Sequence, residues 1–263
     1  MDNFVNEHDY KLLENDKYTF FVLGRIMAGT PKLLLSNHKN LIICFSGAPY
    51  PVWIWTPDNA SAADMEYAYQ TIVSHGLLDG THTFNLKYDL ANYFIKRAAA
   101  DNKTLSITVN MYAYDCPELV ESPTPTDGHI HQCTNDDIDE LVNFLDLFHR
   151  EVNHDQKDMA GYRADAVEHI KAGSVYFWRD TNGNNVACCK LTPNGDLAAI
   201  NLVFTHPEFR RKHYAENLVY HVTRHAHDSG YMPMLYTDAD YTASNACYEK
   251  IGYILRGKLC TIG

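Results

Sequence analysis

Ile200-Asn201-Leu202-Val203-Phe204-Thr205-His206-Pro207-Glu208-Phe209-Arg210-Arg211-Lys212-His213-Tyr214-Ala215 joins a β-run to a helix across a cationic turn. Ile200 to Phe204 is short, apolar and rich in β-branched and aromatic residues, which predicts a strand that Thr205-His206-Pro207 ends. From Tyr214 onward Ala215, Leu218, Val219 and Val222 recur at helical spacing, so a helix is expected to start close to Lys212 and run to about Ser229-Gly230. Its first turn carries unpaired amides beside Arg210, Arg211 and Lys212. Cations at a helix N-terminus oppose the dipole at a cost of roughly 0.3 to 1 kcal/mol each, so a plain solvated start would favour Asp or Glu. Amides, dipole and cations together suit an anion such as a pyrophosphate.

A second block follows. Met234 to Asp238 reads as a strand, and Asp240-Tyr241-Thr242-Ala243-Ser244-Asn245-Ala246-Cys247-Tyr248-Glu249-Lys250-Ile251-Gly252-Tyr253 as a helix opened by Ser244 or Asn245 and closed by Gly252. The two blocks together resemble the acetyl-CoA signature of the GNAT superfamily of N-acetyltransferases. In that family Arg or Gln, two residues, Gly, one residue, then Gly or Ala form the pyrophosphate loop, and a downstream Ser-Asn opens a helix with Tyr three residues on. Arg210 and Ala215 fit the first pattern, together with Val203, Thr205 and Pro207. Asn245 and Tyr248 fit the second. His213 stands where the family has glycine. It either weakens CoA binding or keeps helical angles and adds a donor, and the second reading is the expectation here.

The resemblance implies a role for each matching residue. Acetyl-CoA would lie in a splay between the strands around Val203 and Leu235, with Leu202, Val203 and Thr205 pairing their backbone to the pantetheine arm. Arg210, Arg211, Lys212, His213, Tyr214 and Ala215 would hold the pyrophosphate, Asn245 would hydrogen-bond the cofactor, and Tyr248 would reprotonate the departing thiolate. Tyrosine, with an ordinary pKa of about 10, is suited to that acid role at neutral pH. The glutamate that some family members carry on the fourth strand would fall near Ala199, which cannot act as a base. Asp196, Asp238, Asp240, Glu151 or a water chain remain as bases. The acceptor implied is a primary amine on a small molecule or peptide. The alternative is an acyl-CoA sensor or an inactive interaction module, although a pure binder has no need of a thiolate acid at Tyr248. GNAT proteins are often homodimers, and that is the prior for this chain.

The rest of the second half reads as the same mixed α+β order. Gly128 to Cys133 is a first strand, Thr134-Asn135-Asp136-Asp137 caps a helix through Ile138, Leu141, Val142, Leu145 and Phe148, and Arg163 to Lys171 is a second helix. Ser174 to Trp178 and Asn185 to Leu191 form a hairpin across Asp180-Thr181-Asn182-Gly183. A GNAT fold, with a mixed central sheet flanked by helices, is therefore expected over 128–263. The proline-containing stretch from Glu121 to Gly128 reads as a linker. Before it, residues 1–122 are expected to form a smaller α/β domain. Leu41 to Ser46, Val52 to Trp55 and Leu105 to Tyr114 are strand-like there, and Ala62 to Ser74 and Asp89 to Ala100 helix-like. This domain is either a degenerate GNAT-like half or an unrelated α+β domain, with a packing or acceptor-shaping role.

Composition sets bounds. No apolar run approaches the ~18 residues of a membrane span, and the opening Met1-Asp2-Asn3 with Glu7 is not a signal segment. Seven cysteines, odd in number and without framework spacing, fit reduced thiols and a cytoplasmic location. The net charge of −11, from 22 basic and 33 acidic residues, argues against nucleic acid and would steer a cationic amine, although solubility explains the same number. His129, His131 and Cys133 lack a partner ligand pair, and His221 lacks the acidic neighbour of zincin chemistry, so no metal site is expected. Cys247 reads as a small packed residue.

Overall fold

The computed structural model describes residues 1–120, 122–153 and 157–263. Glu121, the first residue of the stretch read as a linker, lies outside them. The first elements are α1 (Glu7–Leu12), α2 (Phe21–Ala28), β1 (Leu33–Ser36), β2 (Ile42–Phe45), β3 (Val52–Trp55), α3 (Ala62–Ser74), β4 (Phe84–Leu86), α4 (Tyr88–Ala100) and β5 (Ile107–Asp115). Then come β6 (His129–Gln132), α5 (Ile138–Phe148), α6 (Met159–Lys171), β7 (Val175–Arg179), β8 (Asn185–Asn194) and β9 (Leu197–Thr205). The last are α7 (Tyr214–Asp228), β10 (Met232–Asp238), α8 (Thr242–Ile251) and β11 (Ile254–Ile262). Strands and helices alternate in a mixed α/β arrangement, as the patterning predicts.

The chain packs as two compact units that are discontinuous in sequence. The first comprises Met1–Tyr114, Tyr236–Thr242 and Leu255–Gly263; the second comprises Asp115–Leu235 and Ala243–Ile254. In the first unit the strand order is β1-β2-β3-β4-β11-β5, with β1, β2 and β3 antiparallel and β3 parallel to β4. A parallel pair needs a crossover, and α3 supplies it. Tyr69 and Ile72 of α3 and Leu90 and Phe94 of α4 pack with Ile43, Ile54 and Phe84 of the strands in one apolar core.

In the second unit the order is β10-β9-β8-β7-β6. Here β6 to β9 are antiparallel neighbours, and β9 is parallel to β10 across the α7 crossover. Leu141, Phe144 and Leu145 of α5 and Tyr162 of α6 close on Phe177 and Phe204 of the sheet.

The two halves of the chain repeat one order of elements. Two helices, three antiparallel strands, a crossover helix, a parallel strand, a helix and a strand occur as α1 to β5 and again as α5 to β11. The strand β6, which precedes the second set and pairs with β7, has a counterpart in the single bridge from Asp2 to Ser36 on β1. Side chains repeat as well. Asn6 and Asp9 form a capping box, as do Thr134 and Asp137. Asp9 then accepts from Ser36 Oγ at 2.5 Å and Asp137 from Arg179 Nη2 at 3.0 Å, each partner being the last residue of its strand.

Several boundaries move from those the sequence predicts. Asp158 accepts from Gly161 N at 2.7 Å and so starts α6 at Met159 rather than Arg163. The helix α7 begins at Tyr214, beyond Lys212, because His213 leaves helical space. The helix α8 opens at Thr242, which places Ser244 and Asn245 inside its first turn.

Candidate active site

The strand β9 is irregular where the site residues begin. Lys190 pairs with Asn201 and Cys188 with Phe204, so Leu202 and Val203 oppose Cys189 alone. This is a β-bulge, and Leu202 accommodates it at φ +53°. On its other side β9 pairs with β10 through Leu197, Ala198 and Ala199 against Met232, Pro233 and Met234. Among the described residues no β9–β10 pair forms beyond Ala199 and Met234. The two strands stop pairing just before the bulge, which leaves the backbone of Leu202, Val203 and Thr205 without a partner on β10.

The turn after β9 is a short 3-10 helix, Pro207–Phe209, followed by the cations. Arg210 is extended, while Arg211 (φ +65°) and His213 (φ +62°) both adopt the left-handed conformation. His213 therefore does not keep the helical angles expected of it. It takes the geometry that glycine adopts freely and that costs another residue roughly 1–2 kcal/mol. No side chain caps α7 behind it. Tyr214, at the first helical position, is buried, whereas Arg210, Arg211, Lys212 and His213 are exposed. The Arg210 guanidinium lies over the Phe204 ring, donates to Thr205 O at 3.2 Å and pairs with Glu151. Lys212 Nζ stands 5.5 Å from the Phe209 ring centroid.

What holds a strained loop is a strap of residues from Thr124 to Asp127. Thr126 Oγ1 donates to Lys212 O at 2.8 Å, Tyr214 OH to Asp127 Oδ1 at 2.7 Å, and Asn217 Nδ2 to Thr124 O at 2.8 Å. Glu216, at 7% side-chain exposure, accepts from Thr124 N (2.7 Å), Lys250 Nζ (2.7 Å) and His213 Nδ1 (2.9 Å). Burial alone would push the Glu216 carboxyl up. The Lys250 ammonium, the Thr124 amide and His213 outweigh it and bring the pKa down to about 2. Burial and the Asp127 carboxylate raise Tyr214 to about 12. His213→Val forces a β-branched side chain to φ +62° and is expected to cost about 2 kcal/mol, whereas His213→Gly should fold normally. Urea denaturation of the two variants would show it; equal loss in both would mean that the imidazole, not the backbone, matters there.

Through Lys250, Glu216 ties α8 to the first turn of α7. Asn245 and Tyr248 lie on α8 with 7% and 8% exposure. Burial raises Tyr248 above the ordinary tyrosine value, and its ring meets Tyr253 edge-on at 5.9 Å. Tyr253 bonds Thr223 of α7 at 2.7 Å. Gly252, which ends α8 at φ +122°, has no room for a side chain, since a Cβ would lie 2.3 Å from Glu118 O. Burial also pushes the Cys247 thiol up to about 12, which leaves it a poor nucleophile.

The other singled-out residues have local partners. His131 bonds Asp137 at 2.9 Å, His221 stacks on Trp178 and His225 meets Tyr176 edge-on. Among the described residues no group of three or more His, Cys, Asp or Glu is placed to hold a metal, and no helix is long and apolar enough to cross a membrane. Of the possible bases, Asp238 accepts from the Asp240 amide at 2.9 Å, Asp196 is exposed, and Glu151 is paired with Arg210.

The bulge of β9 and the cationic loop thus lead directly into a helix that no side chain caps. Residues 138–253 match the family described as the acetyltransferase (GNAT) family, and this part of the chain is a GNAT acetyltransferase domain. The whole fold resembles solved structures at low sequence identity. An acetyltransferase of the GNAT family from Colwellia psychrerythraea superposes with a TM-score of 0.59 at 11% identity, covering 99% of this chain and 97% of the other. A GCN5-related N-acetyltransferase from Kribbella flavida gives 0.62 at 14% identity, covering 95% and 94%. One from Sphaerobacter thermophilus gives 0.62 at 10%, covering 81% and 71%. No curated protein matches the chain by sequence.

Proposed function

We propose that the protein moves an acetyl group from acetyl-CoA to a primary amine by direct attack. The observation that carries this reading is the junction of the bulged, unpaired end of β9 with the uncapped, cationic N-terminus of α7. Acetyl-CoA supplies the activated acyl group. The edge of β9 at Leu202, Val203 and Thr205, which β10 does not pair, suits the amide groups of a pantetheine arm, which would add to β9 as a strand edge. The amides from Arg211 to Ala215 and the side chains of Arg210 and Lys212 would bind the pyrophosphate. Tyr248, kept protonated by burial, would donate its proton to the leaving thiolate, and Asn245 would orient the cofactor arm. An acceptor ammonium with a pKa near ~10 must lose a proton before it attacks, and the carboxylates of an acidic chain favour its approach. Reduced cysteines, all seven of which are free, agree with a cytoplasmic protein.

The N-terminal half, residues 1–122, is on this reading a degenerate copy of the catalytic half. Its β3–α3 turn, Thr56-Pro57-Asp58-Asn59-Ala60-Ser61, carries no cation, and Ser61 and Asp64 cap α3 with their own side chains. Lys87, at the end of β4, donates to Asp16 at 2.6 Å and Asp58 at 2.5 Å, and Asp16 also accepts from Trp55 Nε1 at 2.8 Å. Beside the β3 end, side chains thus pair with one another. A packing or acceptor-shaping role is what this reading gives to the half.

Thiol release measured against a panel of amines tests the activity. Turnover with an amine, absent without one, supports it; binding of acetyl-CoA without turnover on any amine points to a sensor. A finer test concerns Glu151, whose carboxylate competes for Arg210. Glu151→Gln should tighten acetyl-CoA binding about threefold, within the ~1 kcal/mol reach of an exposed ion pair. Unchanged or weaker binding would mean that Arg210 does not engage the cofactor.

A further inference from the structure

His213 brings more to the loop than a backbone conformation. Its Nδ1 lies 2.9 Å from Oε2 of Glu216, and 51% of the side chain is exposed. The Glu216 carboxyl, with its pKa brought down to about 2, is ionised near neutral pH, and an ionised carboxylate only accepts hydrogen bonds. The proton in this contact therefore sits on Nδ1. In the neutral ring that leaves Nε2 a bare acceptor, whereas in the imidazolium both nitrogens donate and the ring carries a full positive charge. Glu216 accommodates either form, because each keeps a proton on Nδ1.

The ring is attached to the residue that precedes the first helical amide of α7, so an anion held by those amides lies within one side-chain length of it. Such an anion favours the charged ring over the neutral one. The other charges around His213 are Arg211 and Lys212 ahead of it in the loop, Lys250 of α8, which shares Glu216, and Asp127 of the strap, which accepts from Tyr214. Arg210 is paired with Glu151. Arg211 and Lys212 repel a third cation, and a bound pyrophosphate, which is a dianion, would cancel that repulsion. Glycine or asparagine would meet the backbone demand at φ +62° as well, so what the imidazole adds to the position is a charge that can change around neutral pH.

We propose that acyl-CoA binds with uptake of a proton by His213, so that the affinity of the loop for the cofactor's pyrophosphate rises as pH falls. The inference rests on the acetyl-CoA reading of this site and adds its regulation. Its sign follows from charge. A bound pyrophosphate stabilises the imidazolium, the ring keeps its proton to a higher pH in the complex than in the free protein, and occupancy of the loop and protonation of the ring promote each other. Attack by the amine runs the other way, since the acceptor must lose its proton, so cofactor capture and turnover draw apart in pH.

The test is a calorimetric titration of the full chain with acetyl-CoA at three pH values between about 6.5 and 8.5, each in two non-phosphate buffers of different ionisation enthalpy, which yields the protons taken up per bound molecule. His213→Asn keeps a left-handed backbone under a neutral side chain. Wild type is expected to take up about 0.3 to 0.5 of a proton more than this variant at one or more of the pH values, and to bind about fivefold tighter at the lowest pH than at the highest, against about twofold or less in the variant. His213→Gly, which meets the backbone demand freely, should match His213→Asn and so separates the ring's effect from a folding defect in either. Equal proton uptake in wild type and both variants, or a release of protons, with acetyl-CoA still bound, would overturn the proposal and leave the cofactor reading standing. Absence of saturable binding by the folded wild-type protein would overturn both.

Discussion

Tyr248→Phe is expected to lower kcat for amine acetylation by about 10²-fold or more while acetyl-CoA affinity stays within twofold. The hydroxyl is carried on a helix held on both sides. Lys250 of α8 is bonded to Glu216, and Tyr253, just past the end of α8, to Thr223. Removal of one oxygen from a ring already packed against Tyr253 leaves the fold in place. Because burial raises the Tyr248 pKa, the proton is present throughout the neutral range, and a loss of the acid should affect chemistry rather than binding. Steady-state kinetics beside a cofactor titration separate the two. Turnover equal to wild type would take Tyr248 out of the mechanism.

Glu216→Ala should destabilise the protein by about 3 kcal/mol, because it leaves the Thr124 amide, the Lys250 ammonium and the His213 ring without their common acceptor. The same residue sets an acid limb. Its folded-state pKa, about 2, lies below the unfolded value of about 4.3, so its contribution is present above that higher value. It is lost as pH falls from about 4.3 towards 2, where the folded carboxylate finally takes up its proton. Denaturation midpoints between these limits should fall less steeply in Glu216→Gln than in wild type. An unchanged slope would mean that another carboxylate governs acid unfolding.

What could be read from the residues, and what could not, follows from how local each signal is. The helix α3 and the strand β3 were legible to the residue, because the helix-like run from Ala62 to Ser74 and the β-branched and aromatic run from Val52 to Trp55 are each contained within a few positions. The strand β1, Leu33-Leu34-Leu35-Ser36, has none of the β-branched or aromatic residues that mark β3, and β4, of three residues, carries too few positions for a period to show. In the site, the order of cations and the Asn245–Tyr248 spacing pointed to the loop and to α8. The left-handed His213 was not legible, because its backbone is fixed by Thr126, Asp127 and Glu216 from outside the motif. Nothing in Thr124-Pro125-Thr126-Asp127 announces a strap; its composition is that of a linker, and only its partners on α7 distinguish the two. The bulge at Leu202 was equally silent, since leucine rarely signals a positive φ.

Calorimetric titration with acetyl-CoA tests the central claim most directly, because it addresses the cationic loop and its histidine without requiring an acceptor. The account predicts micromolar, saturable binding that is lost in Arg210→Ala and in Lys212→Ala, both exposed positions whose truncation leaves the core intact. Absence of binding by the folded wild-type protein, or binding indifferent to both substitutions, would contradict it.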